Sequence, residues 1–229
     1  MSSSACAHLH VHSEYSLLDG ACKIEKLAER AAAFGQPALG LTDHGVMNGS
    51  VELFKACRKH GIKPILGLEA YFRDDRKDTD TRVKPNHLTL LAESDQGFRN
   101  LVKLTSQGFL DGLYRGKPTI DLELLSEYGD GVIAFSGCLA ARASQHILDG
   151  QLESARAHLD DLVQVFGRED LYLEVQRNGL PEQEKVNAAM QRFASEMALP
   201  LVATADVHYL GKEDFHHHAA LLCLSLIHI

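Results

Sequence analysis

The sequence predicts one α/β domain, a distorted, TIM-like (β/α)7 barrel. Short apolar runs alternate with helical stretches along the whole 229-residue chain, as in repeated strand–helix units. Such units imply parallel strands with right-handed crossovers, and seven of them favour a barrel, although a doubly wound sheet would give a similar pattern. The strand-like runs are residues 7–11, 38–42, 64–71, 88–92, 132–136, 171–175 and 201–205.

Six stretches between these runs carry apolar residues at helical spacing. Gly35, Gly61 and Gly167 follow three of them, at positions where helices commonly end. Residues 73–86 form a charged loop without periodicity, which we expect to cover one mouth of the barrel. The predicted helices are residues 23–34, 49–60, 98–110, 141–148, 152–166 and 182–198.

The charge and the cysteine content exclude several classes of protein. The net charge is −8, whereas a free-standing duplex-binding domain is normally basic because it neutralises phosphates. The five cysteines are odd in number and never spaced as CxxC, which argues against a disulfide framework or a zinc ribbon. We find neither a signal-peptide pattern nor an apolar run of about 18 residues, so we expect a cytoplasmic protein without a membrane segment.

Histidine and aspartate side chains recur at the ends of the predicted strands. His8, His10 and His12 alternate along the first strand and therefore share one face. A solvated polar face is the alternative, but three histidines at strict period two are unusual for one. Further along the chain, Asp43-His44 and Asp206-Val207-His208 each follow an apolar run. The carboxyl ends of barrel strands are where enzymes of this class place their sites, so together these residues predict a metal site.

Three more residues are candidates for the same site. Glu69 lies inside an apolar run, where an unpaired carboxylate is costly, so we expect it to be paired or bound to metal. Cys138 follows a strand in a tight turn. Taken alone, it is better interpreted as a small buried apolar residue than as a metal ligand. His87 opens its apolar run instead of closing it, so spacing alone predicts a surface histidine.

The chain resembles the PHP (polymerase and histidinol phosphatase) superfamily through HLHVHSEYSLLDGA, LTDHG, GLEAY, HLTLLA, SGCL and ATADVHY, in this order. More narrowly, it resembles the N-terminal domains of bacterial DNA polymerase III α subunits through HSEYSLLDG, GIKPILGLEAY, GLPEQEKVN and FLDGLYRGKP. The resemblance covers residues 7–223. We therefore expect a PHP domain over residues 1–223, and a tail over 224–229 that does not match the family and suggests a truncated or wrongly joined end.

The resemblance implies a full set of nine metal ligands, with His12, Asp206 and His208 as the catalytic residues and Asp43 as an orienting partner of His44. Nine donors exceed the needs of one ion and suit two or three, with zinc or manganese favoured over magnesium. The implied ligands are His10, His12, Asp19, His44, Glu69, His87, Cys138, Asp206 and His208.

The activity implied is metal-dependent phosphodiester hydrolysis, most plausibly by a 3′→5′ exonuclease acting on DNA. DNA synthesis would belong to the longer parent protein, whose own magnesium site lies outside this sequence. The implied partners are DNA, the other polymerase domains, a proofreading exonuclease subunit and a sliding clamp. Two alternatives stay open: a stand-alone phosphatase acting on a small phosphomonoester such as histidinol phosphate, and a non-catalytic docking module.

Overall fold

The computed structural model describes residues 6–80 and 82–227, which form two compact units. Of these described residues, the first unit contains those up to Leu68 and from Asp206 onward, and the second contains those between Glu69 and Ala205. Strand β2 begins in the first unit and ends in the second. The predicted domain limits, 1–223 and 224–229, stay a prediction. Helix α8 continues to Ile227, and residues 228–229 lie outside the described part of the chain.

The first unit is built from helices and short parallel pairings. Its elements are α1 (Ile24–Ala33), β1 (Ala38–Leu41), α2 (Ser50–His60), the start of β2 (Lys63–Phe72), a 3-10 turn (Lys212–Asp214) and α8 (Phe215–Ile227). Strands β1 and β2 pair in parallel, with Ala38 opposite Lys63. The helices pack on them because α1 buries Ile24, Leu27, Ala28 and Ala31, at the i, i+3, i+4, i+7 spacing of one helix face.

The predicted first strand, residues 7–11, is not a continuous strand. It is held by two isolated bridges, His8 to Leu39 and Val11 to Val207. The backbone N–H of Gly40 donates to the carbonyl of His8, and that of His12 donates to the carbonyl of Val207. The segment changes its pairing partner within four residues, so neither ladder extends far enough to make a regular strand.

The second unit contains the larger part of the sheet, in the order β4-β5-β2-β3-β6-β7-β8. Its other elements are β3 (Asn86–Ala92), α3 (Asp95–Asp111), β4 (Leu113–Tyr114), β5 (Lys117–Ile120), α4 (Leu122–Tyr128), β6 (Val132–Phe135), α5 (Arg142–Leu148), α6 (Leu152–Phe166), β7 (Leu171–Gln176), α7 (Pro181–Met197) and β8 (Leu201–Thr204). The sequence analysis did not predict the β4–β5 hairpin or the short helix α4. The two-residue turn of the hairpin has positive φ at both Arg115 and Gly116.

The expectation of an all-parallel sheet is wrong at β3. Strand β3 runs antiparallel to β6, with Thr89 opposite Phe135 and Ala92 opposite Val132. Between β2 and β3 the chain forms the polar loop in place of a helix, so the helical crossover that joins parallel strands is missing there. The opening residues of β3 consequently lie at the edge where β6 ends, and His87 bridges to Ala141.

A helix that crosses a bilayer must be both long and apolar. None of the helices within residues 6–80 and 82–227 is both long enough and apolar enough to do so.

Gly137 gives a test of the turn between β6 and α5. Its φ is +87°, and a Cβ added there would lie 2.8 Å from Ala141 Cβ and 3.0 Å from the His87 carbonyl oxygen. Gly150 has a similar φ of +77° but open space around it. We expect Gly137→Ala and Gly150→Ala each to lose about 1 kcal/mol of unfolding free energy from the left-handed backbone. Gly137→Ala should lose a further ~1–2 kcal/mol from the close contact.

Urea unfolding of the two variants measures this difference. Equal losses for Gly137→Ala and Gly150→Ala would contradict the close packing of the turn against the start of β3.

Candidate functional site

Backbone pairing brings the two ends of the first unit together at Val207. The N–H of His12 donates to the Val207 carbonyl at 2.8 Å, and the N–H of Val207 donates to the His10 carbonyl at 3.1 Å. Asp206 and His208, on either side of Val207, are therefore placed beside His10 and His12. Alternation along the segment turns the imidazoles of His10 and His12 to the same side, and both are fully buried.

The carboxylate of Asp206 faces these two imidazoles. Its Oδ1 lies 3.4 Å from His10 Nε2 and 3.3 Å from His12 Nε2. Asp206 itself adopts the left-handed conformation, with φ of +49°. This region is uncommon outside glycine but tolerated by aspartate, and a residue held in it at a cluster of polar side chains suggests a functional constraint.

A second group of donors forms around Asp19 in the same unit. Asp19 Oδ2 lies 3.0 Å from His44 Nε2 and 3.9 Å from His208 Nε2. The Nδ1 of His208 lies 3.0 Å from the carbonyl oxygen of Asp206 and donates its hydrogen to it. The neutral ring therefore keeps its lone pair on Nε2, the atom that faces Asp19.

Electrostatics favours the charged form of Asp19. Burial alone would raise the pKa of this carboxyl. The hydrogen bond from His44, together with the nearby imidazoles of His44, His208 and His12, outweighs burial and lowers the pKa below its usual range. Asp19 is therefore a carboxylate at neutral pH, as a metal ligand has to be.

The first unit fits a metal ion by the chemistry of its donors. The ring centroid of His12 lies 4.2 Å from that of His44 and 4.3 Å from that of His208. Each of the three rings has a nitrogen within 4.8 Å of a nitrogen of the other two. The lone pair on His208 Nε2 faces the carboxylate of Asp19, and a cation between the two would stabilise both. The six residues offer nitrogen and oxygen atoms, the donors that zinc and manganese accept.

The second unit holds a smaller group made of Glu69, His87 and Cys138. Glu69 is buried near the end of β2, and its Oε2 lies 3.0 Å from His87 Nδ1. The Cys138 sulfur lies 3.5 Å from Glu69 Oε1 and 3.7 Å from His87 Nδ1. Spacing alone predicts a surface histidine at position 87, but His87 joins this group because the antiparallel β3 carries its first residues to the edge where β6 ends.

The role of Asp43 as an orienting partner of His44 stays a prediction. Its carboxylate accepts hydrogen bonds from the Ser13 backbone N–H and from the hydroxyls of Ser13 and Ser16, at 2.7–2.8 Å. Its link to the backbone of His44 runs through Ser16, whose hydroxyl also contacts His12. Burial raises the pKa of Asp43 above its ordinary value, and the hydrogen bonds from Ser13 and Ser16 oppose that rise.

Sequence reasoning missed three residues of this region. Ser13 and Ser16 are buried behind the histidines, and the one available signal is that Ser16 follows His12 by four residues. Three adjacent side chains on a helix point in three directions, which predicts that His216, His217 and His218 are solvated, and His216 and His217 are exposed. The ring of His218 instead lies 5.8 Å from that of His208. Burial, and then the neighbouring His208, lower the pKa of His218.

A family model described as "PHP domain" matches residues 8–178. The chain is also similar to proteins named DNA polymerase III subunit alpha. It is 41% identical to that of Aquifex aeolicus over 96% of this chain and 20% of the relative. It is 44% identical to that of Thermus aquaticus over 96% and 18%, and 42% identical to that of Deinococcus radiodurans over 96% and 17%. The chain thus spans about a fifth of the length of these relatives.

Two solved structures share the fold. A candidate metal-dependent phosphoesterase from Bifidobacterium adolescentis superposes with a TM-score of 0.53 at 17% identity, covering 92% of this chain and 90% of that one. An amidohydrolase from Chromobacterium violaceum, with bound sulfate and no metal, gives 0.51 at 17% identity, covering 95% and 97%.

These comparisons confirm two predictions made from the sequence, the α/β fold class of a TIM-like PHP barrel and the family resemblance. The role of the nine residues as ligands stays a prediction. The chain belongs to the PHP domain family.

Proposed function

We propose that this chain is the PHP part of a bacterial DNA polymerase III α subunit, and that it hydrolyses phosphodiesters as a metal-dependent 3′→5′ exonuclease. The observation that carries the hydrolytic proposal is the convergence of four imidazoles and two carboxylates in the first unit. The names of the polymerase relatives support the proposal that this chain is part of a DNA polymerase III α subunit. The phosphoesterase fold supports the class of chemistry.

The nine candidate ligands divide into three groups of three, which suits two or three ions. The groups are His10, His12 and Asp206; Asp19, His44 and His208; and Glu69, His87 and Cys138. Imidazole-rich groups favour zinc or manganese, because magnesium prefers oxygen ligands. Bound divalent ions would activate water and stabilise negative charge on the attacking and leaving oxygens of a phosphoester.

The residues of the chain supply position and charge for this chemistry. His12 and His208 offer neutral nitrogens whose direction is fixed by hydrogen bonds on the opposite side of each ring. Asp206 supplies the anionic charge that balances cations, from a backbone conformation that holds its carboxylate toward His10 and His12. We propose His12, Asp206 and His208 as the catalytic residues.

Templated DNA synthesis, the activity in the names of the longer relatives, is proposed for a parent protein and not for this chain. The three carboxylates of the candidate site, Asp19, Asp206 and Glu69, already belong to the groups above. DNA, the remaining polymerase domains, a proofreading subunit and a sliding clamp are the proposed partners.

The first prediction concerns metal content. The chain purified without chelator should carry more than one zinc or manganese ion per molecule, because the first unit alone offers two groups of three donors. Elemental analysis of protein with a measured concentration gives the ratio. One ion or none per chain would rule out the proposed cluster.

The second prediction concerns catalysis. Asp206→Asn keeps the shape of the side chain, and asparagine tolerates the left-handed backbone, so the variant removes mainly charge. We expect it to lower metal-dependent release of 3′ nucleotides about 100-fold or more. His12→Ala and His208→Ala should do the same.

His217→Ala is the matched control for these variants. Its side chain is 81% exposed, so nuclease activity should stay at the wild-type level. Circular dichroism must show that each variant is folded. A folded Asp206→Asn with wild-type nuclease activity would refute the hydrolase proposal. A wild type that is inactive with zinc or manganese but releases phosphate from histidinol phosphate would favour the phosphatase, and one inactive in both assays would favour the docking module.

The third prediction separates hydrolysis from synthesis. The chain should incorporate no nucleotide on a primed template in the presence of magnesium and all four deoxynucleotides. A gel assay of primer extension measures this, and any template-directed extension would contradict the assignment of synthesis to other parts of the parent.

A further inference from the structure

A buried hydroxyl connects two candidate ligands of the first unit. Ser16 Oγ lies 3.0 Å from His12 Nδ1, 2.8 Å from Asp43 Oδ1 and 3.1 Å from the backbone nitrogen of His44. Ser16 and Asp43 are each 1% exposed, and His12 is fully buried. One serine oxygen therefore contacts the ring of one ligand, the backbone of another and a carboxylate.

The direction of each hydrogen bond follows from counting protons. Asp43 Oδ1 already accepts from the Ser13 backbone N–H at 2.7 Å, and a carboxylate has no proton to donate. Ser16 has a single hydroxyl hydrogen, which must point to Asp43. The serine oxygen is then left with lone pairs alone for its two other contacts, so it accepts from the N–H of His44 and from Nδ1 of His12.

This assignment fixes the tautomer of His12. A neutral imidazole carries one hydrogen, and if Nδ1 carries it then Nε2 keeps the lone pair. Nε2 is the atom that lies 3.3 Å from Asp206 Oδ1. The other tautomer would place a hydrogen on Nε2 and prevent that nitrogen from coordinating an ion.

We propose that Ser16 is a positioning residue that holds His12 in its metal-binding tautomer and, through the same oxygen, fixes the backbone of His44. The proposal rests on the proposed function in one respect, namely that these histidines bind metal. Asp43 acts one step further back, because it takes the serine hydrogen and so makes the serine oxygen an acceptor. Partners that orient a metal-bound histidine from the far side of the ring commonly change metal affinity 10- to 100-fold when removed.

Ser13 provides a matched control within four residues. Its hydroxyl donates to Asp43 Oδ2 at 2.8 Å, it is as deeply buried as Ser16, and no hydrogen bond in the described residues joins that hydroxyl to a histidine. Ser13→Ala and Ser16→Ala therefore each delete one buried hydroxyl that serves the same carboxylate. Only Ser16→Ala deletes the acceptor of His12 Nδ1–H.

The test uses nitrogen-15 NMR of the histidine side chains in the full 229-residue chain, first with chelator above pH 7.5 and then during titration with zinc. In the wild type, we expect His12 to carry its hydrogen on Nδ1 before zinc is added. Ser16→Ala should shift His12 toward a mixture of tautomers and weaken zinc binding at His12 about 10- to 100-fold. Ser13→Ala should keep the wild-type tautomer and change zinc affinity less than about threefold.

The spectrum of the wild type tests the proposal even if Ser16→Ala does not fold. His12 protonated on Nε2 in the metal-free wild type would overturn it, as would equal effects of Ser16→Ala and Ser13→Ala on tautomer and affinity. Failure of the proposed function is distinguishable, because then zinc would leave the His12 resonances of the wild type unchanged while the metal-free tautomer would still report on Ser16.

Discussion

The candidate centre of the first unit depends on one contact, the approach of Asp206 Oδ1 to the Nε2 atoms of His10 and His12 within 3.4 Å. Both rings are fully buried, and the side chain of Asp206 is 22% exposed. A cation held between this carboxylate and the two imidazoles would stabilise the arrangement. The surrounding structure is arranged to maintain it: Val207 pairs with Val11, and Asp206 holds a left-handed backbone.

The spacing of histidines and aspartates along the sequence predicts most of this arrangement. Histidines at alternate positions share a face in extended backbone, and a D-x-H motif after a strand places two donors on the same side. His10, His12, Asp206 and His208 could therefore be predicted from the residues themselves, and Glu69 from the cost of burying a carboxylate. His87 could not, because its place depends on the direction of β3, which is set by pairing with β6 and by a connection that has no helix.

The residues that contact the candidate ligands from the far side are not indicated by the sequence pattern. A hydrogen-bonded group is formed by Ser13, Ser16 and Asp43. Its effect depends on which atom donates each hydrogen bond, and the residue types alone do not show this. His218 was missed for a similar reason, since three adjacent histidines on a helix point in different directions and only packing decides which one meets His208. Spacing identifies ligands, while the orientation of ligands requires three-dimensional contacts.

The most direct test of the account is anomalous X-ray diffraction from crystals of the chain grown with zinc, with data collected on both sides of the zinc absorption edge. We expect a zinc peak about 2.0–2.2 Å from His10 Nε2, His12 Nε2 and an oxygen of Asp206. A well-ordered structure in which zinc binds elsewhere, for instance at the exposed His216 and His217, while those three residues bind none, would contradict it.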